Sequence, residues 1–449
     1  MEPCNLFLNQ VVIANPGGLL TQALPLLLNQ SNIDKNRELV VITGKSQPSQ
    51  PSVAQFFSSL KEQNIELRHF VIENEPTVSN IDNIVNSLRG SSSNPFYVVA
   101  IGGGSVIDLA KAVSFLLNES GSVMDYLEKV GTKTPSGNKV PLMAIPTTAG
   151  TGSEATKNGV IKGSKNGVAF KNSFRHDNFI PNICVLDPKL SVSVPLNVTS
   201  YTAMDTLSQL IEAFTSTKYN PFCDAICESG LIYFAQGFDL VILDANDIEA
   251  RFDMAYAAWS SGVALCNVGL GAVHGIAGTL GALSDIPHGL ACAILLPIVI
   301  EAMIRRLVVN ATVGSFNFRY LVKLARTGYL LNGELESGFD ISTGCRKLLD
   351  KLESFKQDFD FPLLSKYGFT KEQIPSIAKL CENKNSPVQF SQSDFEAILL
   401  CAITGEALLL PQSCDNHNCD CNEGECACDD DECHCHDDDH HHGECGCHK

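Results

Sequence analysis

Between residues 97 and 112 the chain runs Tyr97-Val98-Val99-Ala100-Ile101, then Gly102-Gly103-Gly104-Ser105, then a stretch carrying Asp108, Lys111 and Ala112. A β-branched apolar run of this kind reads as a buried parallel strand. Three glycines directly after it allow backbone N–H groups to come close to a phosphate, and a helix opening there adds partial positive charge. Strand, glycine turn and helix in that order imply an open, mostly parallel α/β sheet.

The same alternation extends over residues 1–190. Val40–Thr43, Leu142–Pro146 and Ile183–Leu186, the last just before Asp187-Pro188, are further strand candidates. From about Ser191 the pattern changes to helical periodicity around 200–216, 222–242, 248–265, 270–283, 288–304, 318–331 and 341–354. A last helix over Phe395–Ile403, begun at Ser391 or Ser393, closes the region. The expected fold is therefore a Rossmann-like α/β domain over 1–190 and an all-helical domain over 191–410. Residues 411–449 are a separate tail.

That tail holds twelve carboxylates against one lysine, so it carries −11 of the net charge of −18 and the first 413 residues carry −7. A mildly acidic body gives no electrostatic case for nucleic acid or an anionic membrane. The Met-Glu-Pro-Cys start lacks a secretory pattern, and the apolar stretch Leu290–Ile300 is about half a membrane span. These features point to a soluble, cytoplasmic protein. Nine of the 18 cysteines are scattered through the body, among them Cys223, Cys227 and Cys292, and read as buried thiols.

A second loop, Pro146-Thr147-Thr148-Ala149-Gly150-Thr151-Gly152-Ser153-Glu154, also follows a strand and offers hydroxyls to phosphate, ribose or carboxamide edges. Two such loops, each in strand–loop–helix context, favour nucleotide binding. The Val40–Thr43 strand ends in Gly44-Lys45-Ser46. Gly44 puts no carboxylate there to repel a 2′-phosphate, and Lys45 or Ser46 could meet one, so the reading prefers NADP(H) to NAD(H). Leu39, where a P-loop would have its first glycine, rules that motif out.

The strings GGGSVIDLAKAV, PTTAGTGSEAT, AMDTLSQLIEAFTS and VHGIAGTLGALSDIPHG, in this order, resemble the iron-containing (group III) alcohol dehydrogenase family from about residue 10 to 405. The resemblance implies that Gly103, Gly104, Ser105, Thr147, Thr148, Thr151 and Ser153 contact the dinucleotide, with Lys171 near its nicotinamide half. Asp108 reads as a brace for the loop. It also implies hydride transfer between NAD(P)(H) and a small alcohol–aldehyde or ketone pair, and a homo-oligomer.

Asp205 and position 209 are i,i+4 on one helix, and a break at Gly281 and Ser284–Pro287 lets His274 and His288 meet. By resemblance these four positions hold a divalent metal and Asp205, His274 and His288 carry the catalysis. The family pattern is Asp, His, His, His, whereas this chain has Gln209 at the second position. Iron, zinc, manganese and magnesium are all tenable there. Four residues after His274, where many relatives carry a proton-relaying histidine, stands Gly278.

The tail pairs Cys419 with Cys421, Cys426 with Cys428, Cys433 with Cys435 and Cys445 with Cys447 in C-x-C units among histidines and acidic runs. It cannot build a hydrophobic core and is expected to be disordered without metal. Its thiolates and imidazoles suit additional soft or borderline ions such as Zn, Ni, Co or Cu(I). The same feature sustains an alternative, a metal-buffering or metal-sensing protein whose dehydrogenase body binds nucleotide without turnover.

Overall fold

The structure is a computed structural model that describes residues 5–31, 38–91, 95–165, 167–309, 311–334 and 338–411. Residues up to Leu410 form one compact unit. Its N-terminal half is built on eight strands: β1 (Val11–Ala14), β2 (Glu38–Gly44), β3 (Leu67–Ile72), β4 (Pro95–Gly102), β5 (Leu142–Pro146), β6 (Asn158–Lys165), β7 (Val168–Arg175) and β8 (Ile183–Leu186). Six of them make one parallel sheet in the order β1-β8-β5-β4-β2-β3. β2 and β4 are neighbours although β3 lies between them in the chain, so the connections leave that pair in opposite directions. This is the switch point at which open α/β sheets bind ligands beyond their strand ends.

The period-2 alternation of strand side chains explains why these strands are apolar throughout. Val40, Ile42, Val98, Ala100, Leu142 and Ala144 point to one face, against α3 (Val78–Arg89), α4 (Gly104–Leu116) and the buried rings of Phe115, Phe174 and Phe179. Leu39, Val41, Val99, Ile101, Met143 and Ile145 point to the other face, against α1 (Leu24–Ser31) and α2 (Pro51–Glu62).

β6 and β7 form an antiparallel hairpin outside the sheet, which periodicity did not suggest. Its strands mix glycine, serine and lysine with few apolar residues. What holds it is tertiary: Phe174 is buried against Phe115, and Lys162 N–H donates to Pro76 O.

The C-terminal half is helical, as expected: α5 (Leu196–Phe214), α6 (Pro221–Leu243), α7 (Ile248–Val268), α8 (Ala272–Leu283), α9 (His288–Val309), α10 (Phe316–Leu331), α11 (Ile341–Asp358), the short α12 (Ile374–Ala378) and α13 (Gln392–Thr404). Ser391 caps α13 through a capping box with Asp394. By length and composition alone α6 is apolar enough to cross a membrane. Here Cys223, Cys227, Leu231, Phe234 and Phe238 pack it into the helical core. α5 and α9 are buried along most of their length, which brings polar side chains at their facing surfaces out of water.

Candidate functional site

The carboxyl ends of β2, β4 and β5 bring Gly44, Gly102 and Pro146 to one edge, with Gly102 in register with Pro146. The two loops lean on each other there. A Cβ on Gly104 would lie 2.5 Å from Thr151 Oγ1, and one on Gly103 would lie 3.2 Å from Thr148 Oγ1. Only glycine at 104 therefore lets the first turn of α4 sit against the second loop. Thr148, Thr151 and Ser105 keep solvent-facing surface, whereas Thr147 is buried and accepts from the Gln47 amide at 3.3 Å.

Ser153 departs from the expected contact with the dinucleotide. It is buried, its hydroxyl donates to Asp108 Oδ1, and Lys111 Nζ donates to it at 3.0 Å. It thus ties the underside of the second loop to α4. Asp108 also accepts from Val160 N–H at 2.9 Å, which anchors the hairpin. Burial raises the Asp108 pKa against the pull of Lys111, Ser153, Val160 N–H and Lys171. Lys171, on β7, and Lys162 both ion-pair with Glu75. Burial works against ionisation of Glu75, but the two ammonium groups outweigh it and lower the carboxyl's pKa. At the end of β2, Lys45 pairs with Glu73 at 3.1 Å, both exposed.

Three helices supply the second half of the site. Asp205 lies mid-way along buried α5, His274 in the first turn of α8, and His288 and Cys292 one turn apart in the first turns of α9. A Cβ on Gly289 would stand 2.2 Å from Tyr201 O, so glycine at 289 is what lets α9 approach α5 at the level of Asp205. One ligand atom from each of Asp205, His274, His288 and Cys292 lies within 4.8 Å of all the others. Asp205 Oδ1 is 3.1 Å from His274 Nε2, 3.7 Å from His288 Nε2 and 3.7 Å from Cys292 Sγ. Cys292 Sγ is 3.9 Å from each of the two Nε2 atoms. Asp205, His274 and Cys292 are buried, and only His288 is half-exposed.

Around the cluster, Glu212 Oε2 lies 2.7 Å from His274 Nδ1, so Glu212 holds the ring from behind while Nε2 faces Asp205. Gln209, expected as a ligand, is turned otherwise. Its Oε1 accepts from the Ser261 hydroxyl at 2.7 Å. The amide oxygen is therefore already engaged away from the cluster, and Cys292, read from sequence as a core thiol, stands in the fourth corner.

The charges confirm a demanding environment. Burial alone would raise the Asp205 pKa, but His288 and His274 bring it below the ordinary carboxyl value. Burial opposes charge on His274, yet Cys292, Asp205 and Glu212 raise its pKa well above the usual imidazole value. At Cys292 burial raises the pKa, and His288 and His274 reverse that to a net lowering. Burial drives Cys184, Cys227 and Cys345 the other way. Gly278 is exposed, and a Cβ there would meet nothing within 4 Å. The tail cysteines 419, 421, 426, 428, 433, 435, 445 and 447 lie outside the described residues.

Comparison with known proteins follows the same division. The iron-containing alcohol dehydrogenase profile matches residues 22–188, and the C-terminal profile of that family matches residues 199–403. The chain is 32% identical over 314 residues to long-chain-alcohol dehydrogenase 1 of Geobacillus thermodenitrificans, covering 69% of this chain and 75% of that protein. It is 31% identical over 324 residues to choline dehydrogenase of Bacillus subtilis, covering 72% and 76% respectively. Among solved structures it resembles a 1,3-propanediol oxidoreductase with a TM-score of 0.76 at 25% identity, over 90% of this chain and 100% of that one. With both halves matched in order, the chain belongs to the iron-containing alcohol dehydrogenase family and is an alcohol-oxidising oxidoreductase.

Proposed function

We propose that the chain interconverts a small alcohol and its aldehyde or ketone, with NAD(P)(H) lying along the carboxyl edge of the sheet and a divalent ion held by Asp205, His274 and His288. The observation that carries this reading is the convergence of those three side chains from α5, α8 and α9 into one buried cluster. A divalent ion held there would polarise the substrate oxygen while the nicotinamide carries the hydride.

The chain's own groups do the binding and orienting. Gly103 and Gly104 open the approach for the pyrophosphate, α4 presents its N-terminal N–H groups, and Thr148 and Thr151 offer hydroxyls. Thr147, Ser153 and Asp108 hold the loops in shape from beneath. Lys171, ion-paired with Glu75, would serve the nicotinamide half. Glu212 fixes the His274 ring. Gly278 leaves the proton transfer to water or ribose hydroxyls, since no side chain stands there. Lys45 favours a 2′-phosphate, hence NADP(H), although Glu73 competes for its charge. The tail C-x-C units hold separate soft ions.

The deciding experiment follows NADPH and NADH oxidation over an aldehyde panel with metal-loaded and chelated protein. Turnover that chelation abolishes and metal restores is expected. Nucleotide binding without turnover on any metal would overturn the enzyme reading in favour of metal buffering.

A further inference from the structure

We propose that the Cys292 thiolate is the fourth ligand of the ion held by Asp205, His274 and His288, which makes this a site for a zinc- or cobalt-type ion rather than for manganese or magnesium. The inference rests on the metal reading above and goes beyond it in ligand set and metal class.

Geometry is the first support. Tetrahedral ligand atoms at 2.0–2.3 Å from an ion stand roughly 3.3–3.8 Å apart. Five of the six edges among the four atoms here measure 3.1, 3.7, 3.7, 3.9 and 3.9 Å, two inside that range and three just outside it. The longer pair both end on sulfur, as the longer Zn–S bond requires.

The second support is what Gln209 does instead. On α5 it stands one turn beyond Asp205, where the family places its second ligand. Its oxygen accepts from the Ser261 hydroxyl at 2.7 Å. Cys292 then fills the corner from a different helix, four residues after His288 and therefore on the same face of α9.

Charge and softness are the third. Asp205 and a Cys292 thiolate together supply two negative charges for a divalent ion, where Asp205 with a neutral amide would supply one. A thiolate in the shell shifts preference toward zinc and cobalt and away from manganese and magnesium, which favour oxygen donors. Cys292 is fully buried in the body, so it is not exposed to casual oxidation.

The test uses the full chain, stripped by chelator under reducing conditions and titrated with Co(II). The variants are Cys292→Ser, Cys292→Asn and Asp205→Asn, each checked for its far- and near-ultraviolet circular dichroism. With cobalt in excess over all thiolate sites the tail contributes equally to every sample, so it cancels in wild-type-minus-variant difference spectra. The expected result is a sulfur-to-cobalt charge-transfer band in the difference against both Cys292 variants. Zinc affinity at this site should fall by at least the roughly 10–100-fold that losing even an outer partner costs, and manganese affinity by less. Should Asp205→Asn abolish one cobalt equivalent while both Cys292 variants leave the spectrum unchanged, Cys292 is no ligand and the three-ligand reading stands. If neither substitution alters cobalt binding, the ion is not held here and both readings fall. Two Cys292 replacements of different shape keep the outcome decisive if one does not fold.

Discussion

The buried carboxylate of Glu212 grips α8 and His274 at once: Oε1 accepts from Val273 N–H at 2.6 Å, while Oε2 lies 2.7 Å from His274 Nδ1. One side chain of α5 thus caps the N-terminus of the helix that carries the histidine and sets that histidine's ring angle. A carboxylate is well placed at this end of a helix, where the N–H groups are unsatisfied and the dipole is positive.

Glu212→Gln should therefore lower metal affinity by about 10–100-fold, the usual cost of removing a carboxylate behind a ligating imidazole. Glu212→Ala should also destabilise the fold, by about 1–3 kcal/mol for the buried N–H left without a partner. Competition titration with a chromogenic chelator and denaturant unfolding measure the two. Unchanged metal affinity in Glu212→Gln would remove Glu212 from the site.

Gly278 is one turn beyond His274 on α8, exposed, with nothing within 4 Å of a would-be Cβ. Gly278→His should fold as well as the parent, because a helical glycine costs up to about 1 kcal/mol relative to alanine. The pH profile of kcat should gain an inflection near the imidazole value of about 6.5, with kcat rising by up to about 100-fold if proton transfer limits the rate. An unaltered pH profile would mean that water already serves as well.

Lys45 and Glu73 are exposed, so their 3.1 Å pair is weak. Glu73→Gln should free Lys45 for a 2′-phosphate and raise the preference for NADPH over NADH by up to about fivefold, the ~1 kcal/mol ceiling for an exposed pair. Lys45→Ala should lower that preference. Ratios of kcat/KM for the two cofactors settle the point, and no change in either variant would place the 2′-position elsewhere.

Burial pushes the Glu154 carboxyl up from 4.5 to about 7, and Lys111, itself pushed down to about 8 by burial, offsets this only in part. Between pH 4.5 and 7 the folded chain keeps a proton that the unfolded chain has lost, so this group's stabilisation is present at low pH and lost as pH rises through about 7. Glu154→Gln should remove that loss. Thermal unfolding at pH 5 and pH 8 should show the variant gaining on the parent at pH 8, by on the order of 3 kcal/mol at most. Equal pH dependence in the two proteins would show that Glu154 ionises freely in the fold.

A chain ending at Pro411 should bind several fewer zinc ions per molecule than the full chain, measured by equilibrium dialysis with elemental analysis. Its cofactor binding should be intact. Unchanged zinc stoichiometry would remove the C-x-C tail as a binding element.

Local pattern was enough to read the strands at Val40–Thr43, Tyr97–Ile101 and Leu142–Pro146, the two glycine loops and the helical half, while the family resemblance singled out Asp205, His274 and His288, which the fold brings together. Apolar periodicity, glycine at a strand end and residue spacing on a helix act within a few turns of chain, so they are visible without the fold. The β6–β7 hairpin was not visible, because Phe174 finds its partner Phe115 some sixty residues away. Nor could spacing distinguish Cys292 from the other buried thiols, or show that the Gln209 oxygen would turn to Ser261. The company a buried polar side chain keeps is decided by which helix surfaces meet, and that depends on the close approach of Gly289 to Tyr201. Sequence alone determined that this chain would carry two glycine loops at a sheet edge and pointed, through the family resemblance, to Asp205, His274 and His288. The packing of α5, α8 and α9 decided the fourth corner, the orienting carboxylate and the role of Gln209.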